Sequence, residues 1–66
     1  MKAPEEKPTV QLTGQDGNAF AVLARVRNML RRSGADQEYL DKYTKEATSG
    51  DYDHLLATTM DYVIVE

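Results

Sequence analysis

The chain reads as an α+β fold: a three-helix mini-domain with a two-stranded terminal sheet, in the order β-α-α-α-β. Three observations lead there. Apolar side chains recur every three or four residues over three separate stretches, the spacing of helices that bury one face. Gly34 and Gly50 punctuate those stretches. At both ends the pattern changes to alternation, in residues 9–13 and 62–66, the period of a strand. One amphipathic helix cannot bury its own stripe, but three with short links bury one another's. Two terminal strands with no others to pair with are expected to pair together. Counting reversals of the chain favours a parallel pair and the general excess of antiparallel pairs favours the opposite; antiparallel pairing is the expectation.

Residues 1–8 carry charges and two prolines without periodicity, so they read as a flexible N-terminal tail, with residues 9–66 as one globular domain. In the first strand Val10 and Leu12 share a face. Gly14, Gln15, Asp16 and Gly17 then read as a turn. Asn18 suits the N-cap of the first helix, whose stripe is Ala19, Val22, Leu23, Val26, Met29 and Leu30, with Phe20 at its edge. That helix ends at Ser33, and Gly34 supplies the left-handed residue that often follows a helix. Asp36 caps the second helix, whose stripe is Tyr39, Leu40, Tyr43 and Ala47. Glu38–Lys42 and Asp41–Lys45 are i,i+4 pairs in the better orientation. Gly50 stops this helix, and Ser49 or Asp51 caps the third. The third stripe is Tyr52, Leu55, Leu56, Thr59, Met60 and Val63. In the closing strand Val63 and Val65 face one way and Ile64 the other.

Size and composition narrow the function. With 66 residues and no cysteine, stability rests on a compact apolar core or on an oligomer. One histidine and no cysteine cannot build a four-ligand structural zinc site. A net charge of −3 is not that of a general nucleic-acid binder. No apolar run reaches the length of a membrane span, and the first residues lack the apolar core of a secretory signal. A cytoplasmic protein without a cofactor is the expectation.

Asp51, Asp53 and His54 are the nearest approach to a ligand cluster. Their spacing matches neither a calcium loop nor a two-histidine zinc helix, and carboxylates at a helix start are ordinary caps. Capping therefore outweighs metal binding or acid–base chemistry. Arg25, Arg27, Arg31 and Arg32 lie on the first helix, with Arg25 and Arg32 one heptad apart on one face and Arg27 and Arg31 on another. They offer a contact for phosphate or for an acidic protein. A solvated face with local salt bridges is the plainer reading. Residues 14–18 lead into a helix N-terminus that could receive an anion, but the glycines and lysine of a phosphate loop are missing, so a turn is expected. The four tyrosines fall on or beside apolar stripes and read as core. Ile64, outward on a terminal strand, is a candidate docking or dimer edge.

Residues 12–65 resemble a family of short, uncharacterised bacterial proteins also met in phage and prophage genomes. The resemblance rests on Gly14, Gln15, Asp16, Gly17, Asn18, Ala19 and Phe20, on the run from Glu46 to Leu56, and on Tyr62, Val63, Ile64, Val65 and Glu66. It implies a stand-alone accessory protein of mobile-element origin that binds larger machinery, and it assigns no activity, ligand or site residue. The expected function is non-enzymatic protein–protein interaction with an unknown partner, a homodimer being one form of it. Nucleic-acid binding through the arginine face comes second, and a small enzyme or metal site at Asp51, Asp53 and His54 third.

Overall fold

The elements run β1 (Thr9–Val10), α1 (Ala19–Arg32), α2 (Gln37–Ala47), α3 (Tyr52–Tyr62) and β2 (Ile64–Val65) in a computed structural model that describes residues 1–12 and 18–66. Thr13 and the expected turn at residues 14–17, with most of the anion-site geometry read at residues 14–18, lie outside the described residues.

Asn18 opens α1: its Oδ1 accepts from the backbone N–H of Phe20 at 3.0 Å and of Ala21 at 3.3 Å. Val22, Leu23, Val26 and Leu30 form its buried face. The C-terminus closes in a Schellman motif. Ala35 N–H donates to Leu30 O at 3.0 Å and Gly34 N–H to Arg31 O at 3.1 Å, with Gly34 at φ 110°. Asp36 Oδ1 accepts from Tyr39 N–H at 2.9 Å and starts α2, which buries Leu40, Tyr43 and Ala47. Neither expected i,i+4 ion pair closes. Glu38 Oε1 instead meets the Met1 ammonium at 2.9 Å, and Asp41 Oδ1 accepts from Gln37 Nε2 at 2.9 Å.

Asp51 starts α3, and the helix buries Leu55, Thr58, Thr59 and Tyr62. This corrects the expected stripe: Met60 is 61% exposed, and the buried face is rotated toward two threonines. The polar cost of that face is met inside the core. The hydroxyls of Tyr43 and Thr59 share a hydrogen bond at 2.8 Å, and no buried side-chain polar atom lacks a partner among the described residues. Tyr62 stacks edge-to-face against Tyr39 and Tyr43, at centroid distances of 5.4 and 5.1 Å.

The strands pair parallel, not antiparallel, with Thr9 opposite Ile64 and Val10 opposite Val65. The antiparallel excess reflects hairpins, whereas these strands are joined by a crossover through all three helices, the connection that parallel pairs require. The strands are also shorter than expected, two residues each, although backbone bonds extend the ladder: Ile64 N–H to Pro8 O at 2.9 Å, Glu66 N–H to Val10 O at 3.0 Å and Leu12 N–H to Glu66 O at 3.3 Å. Val10 and Val63, each 1% exposed, close the core beneath the ladder, while Ile64 is 50% exposed. The segment expected as a tail makes its own contacts: Lys2 N–H donates to Asp36 Oδ2 at 2.8 Å, Asp36 N–H to Lys2 O at 3.1 Å, and Lys7 Nζ to Met60 O at 3.3 Å.

Candidate functional site

Two places gather polar chemistry: the corner between α2 and α3, and the outer face of α1. At the corner, α2 ends at Ala47 with Thr48 as its C-cap, two residues before Gly50, so Gly50 is not its cap. Gly50 has no positive φ either. Its role is spatial. A Cβ there would stand 2.9 Å from both Cβ and Cγ of His54, so a side chain at position 50 would collide with the imidazole lying over the turn. Asp51 Oδ1 accepts from His54 N–H at 2.9 Å, which starts α3 and directs the histidine back toward α2. Asp53 lies exposed in the first turn of α3, where its charge favours the positive end of the helix.

The hydrogen bonds of this corner fix its chemistry. His54 Nε2 lies 3.0 Å from Glu46 O, 3.1 Å from Ser49 Oγ and 3.4 Å from Thr58 Oγ1. A backbone carbonyl only accepts, so Nε2 carries the hydrogen. Ser49 Oγ donates to the same carbonyl at 2.7 Å. A serine–histidine nucleophile needs the reverse, an unprotonated nitrogen receiving the serine hydrogen. As arranged, His54 and Ser49 both satisfy a carbonyl at the end of α2, the groups a helix C-terminus leaves open. Glu46 reaches the other way: its Oε2 accepts from the Tyr62 hydroxyl. Burial and this bond push the tyrosine's pKa well above its ordinary value. Glu46, Ser49, His54, Thr58 and Asp61 together line a cleft of about 330 Å³. Among the described residues no three histidine or acidic side chains are gathered as a metal site.

The α1 face is different, because no carboxylate among the described residues pairs with its charge. The helix carries four arginines and no acidic residue in a chain of net charge −3, which leaves −7 on the remaining residues. Arg27 and Arg31 turn toward α2: Arg27 Nη1 donates to Thr44 Oγ1 at 2.5 Å, and Arg31 Nη2 to Gln37 Oε1 at 3.2 Å. Arg25 and Arg32 share the outer face and flank one open groove of about 420 Å³, floored by Ala21, Ala24, Asn28 and Met29. Among the described residues Arg25 Nη1 donates to Gln11 O alone, at 3.4 Å. The salt bridges expected on this face are absent among the described residues: no carboxylate lies within 4.0 Å of any α1 arginine nitrogen, and the ion pairs present both involve the Met1 ammonium.

Two apolar features complete the surface. Phe20, placed by the sequence at a stripe edge, is 81% exposed beside a hollow of about 220 Å³ that includes Leu23, Ala47, Tyr52 and Leu55. Its exposure has no sequence signal, since position 20 lies beside the stripe residues 19 and 23. Met60, Ile64 and Val65 are exposed at the end of the chain. No helix among the described residues is long and apolar enough to cross a membrane. No family model, curated protein or solved structure matches this chain.

Proposed function

We propose that the protein is a non-enzymatic accessory protein that works by binding another protein, and that the outer face of α1 is its contact surface. The observation that carries this reading is the pair Arg25 and Arg32 on one groove of an otherwise acidic molecule, with no carboxylate of the described residues within 4.0 Å of either. Exposed arginines with no carboxylate of the described residues beside them keep donors for charge-assisted hydrogen bonds to a partner, Arg25 giving up only a long Nη1 bond to Gln11 O. The −7 borne by the rest of the chain disfavours a long polyanion, whose phosphates extend past the basic face into the repulsive field, more than it disfavours a short acidic protein segment. The histidine corner supports the same conclusion, since its hydrogen-bond roles serve helix ends. Such a role agrees with the stand-alone accessory protein that the motif resemblance implies.

Affinity capture from the native host tests this, with the wild-type chain and the Arg25→Glu/Arg32→Glu variant compared by quantitative mass spectrometry. The expected outcome is an acidic protein held by the wild type, released by the variant and weakened by raising salt from about 50 to 200 mM. The same proteins recovered by both chains would refute the arginine face. Recovery of nucleic acid in place of protein would move the reading to nucleic-acid binding.

A second reading has its own observation. Met60, Ile64 and Val65 leave three exposed apolar side chains within six residues, at the edge of a two-residue strand. Self-association through that edge would make the protein a homodimer. Light scattering on Ile64→Lys beside the wild type decides it: a dimer that dissociates in the variant supports this edge, and a wild-type monomer at high concentration removes it.

A further inference from the structure

We infer that the groove on α1 receives an acidic amphipathic helix of the partner, laid along α1 with two carboxylates one heptad apart on Arg25 and Arg32. The inference rests on the arginine face being the contact surface and adds the shape and register of what binds there.

The argument for a helix begins with the backbone. An extended peptide gains affinity by pairing with a free sheet edge, and the interior of a helix has no free backbone donors or acceptors to offer it. Only side chains can meet a partner on this face. Ala21, Ala24 and Asn28 follow one another at intervals of three and four residues, so the floor of the groove runs along the helix, and the two alanines leave it low beside the polar Asn28. A depression of that spacing is what a second helix fills with its own ridge, at an axis separation of about 8–10 Å. Met29 adds an apolar contact at its side.

The charges then set the register. Arg25 and Arg32 are seven residues apart, which on a helix is about 10.5 Å on nearly the same face. Two carboxylates at i and i+7 of a partner helix have the same separation and the same shared face, whether the helices run parallel or antiparallel. Among the described residues neither guanidinium has a carboxylate within 4.0 Å to release first. Apolar or small residues between the two carboxylates meet Ala21 and Ala24. A phosphate backbone would satisfy the charges but offers no side chain to pack on Ala21, Ala24 and Met29.

Fluorescence anisotropy with defined peptides tests the assignment. The probe is a labelled alanine-rich helix with glutamates at i and i+7. One control has the same composition with the glutamates at i and i+5, on different faces; another keeps the original spacing but carries a central proline. A single-stranded oligonucleotide of equal charge is the fourth titrant. The expected result is binding of the i,i+7 helix at least tenfold tighter than of either control. That binding is lost in Arg25→Glu/Arg32→Glu and weakened about tenfold in Ala24→Leu, which fills the floor while leaving both charges. Circular dichroism shows whether each variant keeps its helices. Equal affinity for all three peptides overturns the helical register and leaves the arginine face standing as a contact surface. Binding of none of them overturns the register and removes the charge argument for that face. Preference for the oligonucleotide overturns both in favour of nucleic acid.

Discussion

Two glycines that look alike in the sequence do different work. Gly34 adopts φ 110° with open space where a Cβ would stand, so its replacement is opposed by the backbone alone. Gly50 has an ordinary φ but lies against His54. Gly34→Ala is expected to cost about 1–2 kcal/mol, the left-handed penalty, whatever its neighbours are. Gly50→Ala is expected to cost about 1–3 kcal/mol through overpacking, and that cost depends on the histidine. His54→Ala removes the Cγ contact but keeps its Cβ, the other atom at 2.9 Å, so the double variant should recover part of the loss and not all of it. Urea unfolding of the four chains measures this, and strict additivity would falsify the steric account. The caps at Asn18 and Asp36 are legible in the sequence because a side-chain oxygen before an apolar run has one local use, whereas the third helix offers both Ser49 and Asp51 and the structure takes Asp51. The approach of His54 to Gly50 is not, because it depends on how α3 leaves the turn.

Packing of α2 against α3 rests on hydroxyl groups that hydropathy counts against burial. Sequence periodicity therefore placed Met60 on the buried face and passed over Thr58. Thr59 and Tyr43 are fully buried and bonded to each other. Tyr43→Phe and Thr59→Val should each cost about 1–3 kcal/mol by leaving the other hydroxyl unpaired, while the double variant costs less than their sum. Equal thermal midpoints for the wild type and both single variants would contradict that bond. The tyrosines also set an alkaline limit. Burial raises the pKa of Tyr39, Tyr43 and Tyr62, and Glu46 raises that of Tyr62 further. The folded state thus holds these protons more tightly than the unfolded chain, so their contribution is complete below about pH 10 and is lost as pH climbs beyond it. Tyr62→Phe keeps the ring pairs and removes one contributor. The variant's melting temperature should fall less steeply between about pH 9 and 11 than that of the wild type, and parallel slopes would exclude Tyr62 as a source. Strand direction was hidden for a related reason: strands of two residues carry no directional pattern, and the crossover alone decides it.

At the scale of the whole molecule, the chain closes on itself late in its own sequence. The helix pairs α1–α2 and α2–α3 are joined by links at residues 33–36 and 48–51, whereas β1 meets β2 only after the entire helical layer lies between them. The positions of the arginines could be read from sequence, but that no carboxylate of the described residues lies within 4.0 Å of them could not, because it follows from the tertiary arrangement. The closure has a kinetic consequence. Local helix–helix contacts cost little loop entropy, and the terminal strand pair costs the most, so its contacts form after the rate-limiting step. Val10 reports on them, since it is 1% exposed and anchors β1 to the core. Val10→Ala should destabilise the protein by about 2 kcal/mol through lost burial and the cavity it leaves. With its contacts absent from the transition state, that loss falls on unfolding, which should accelerate about 30-fold while folding changes less than twofold. Leu40→Ala, in the middle of α2, should instead slow folding, because the helix contacts it removes form first. Stopped-flow folding in urea separates the two, and a Val10→Ala variant that folds slowly but unfolds at the wild-type rate would place the strand pair in the nucleus and reverse the order.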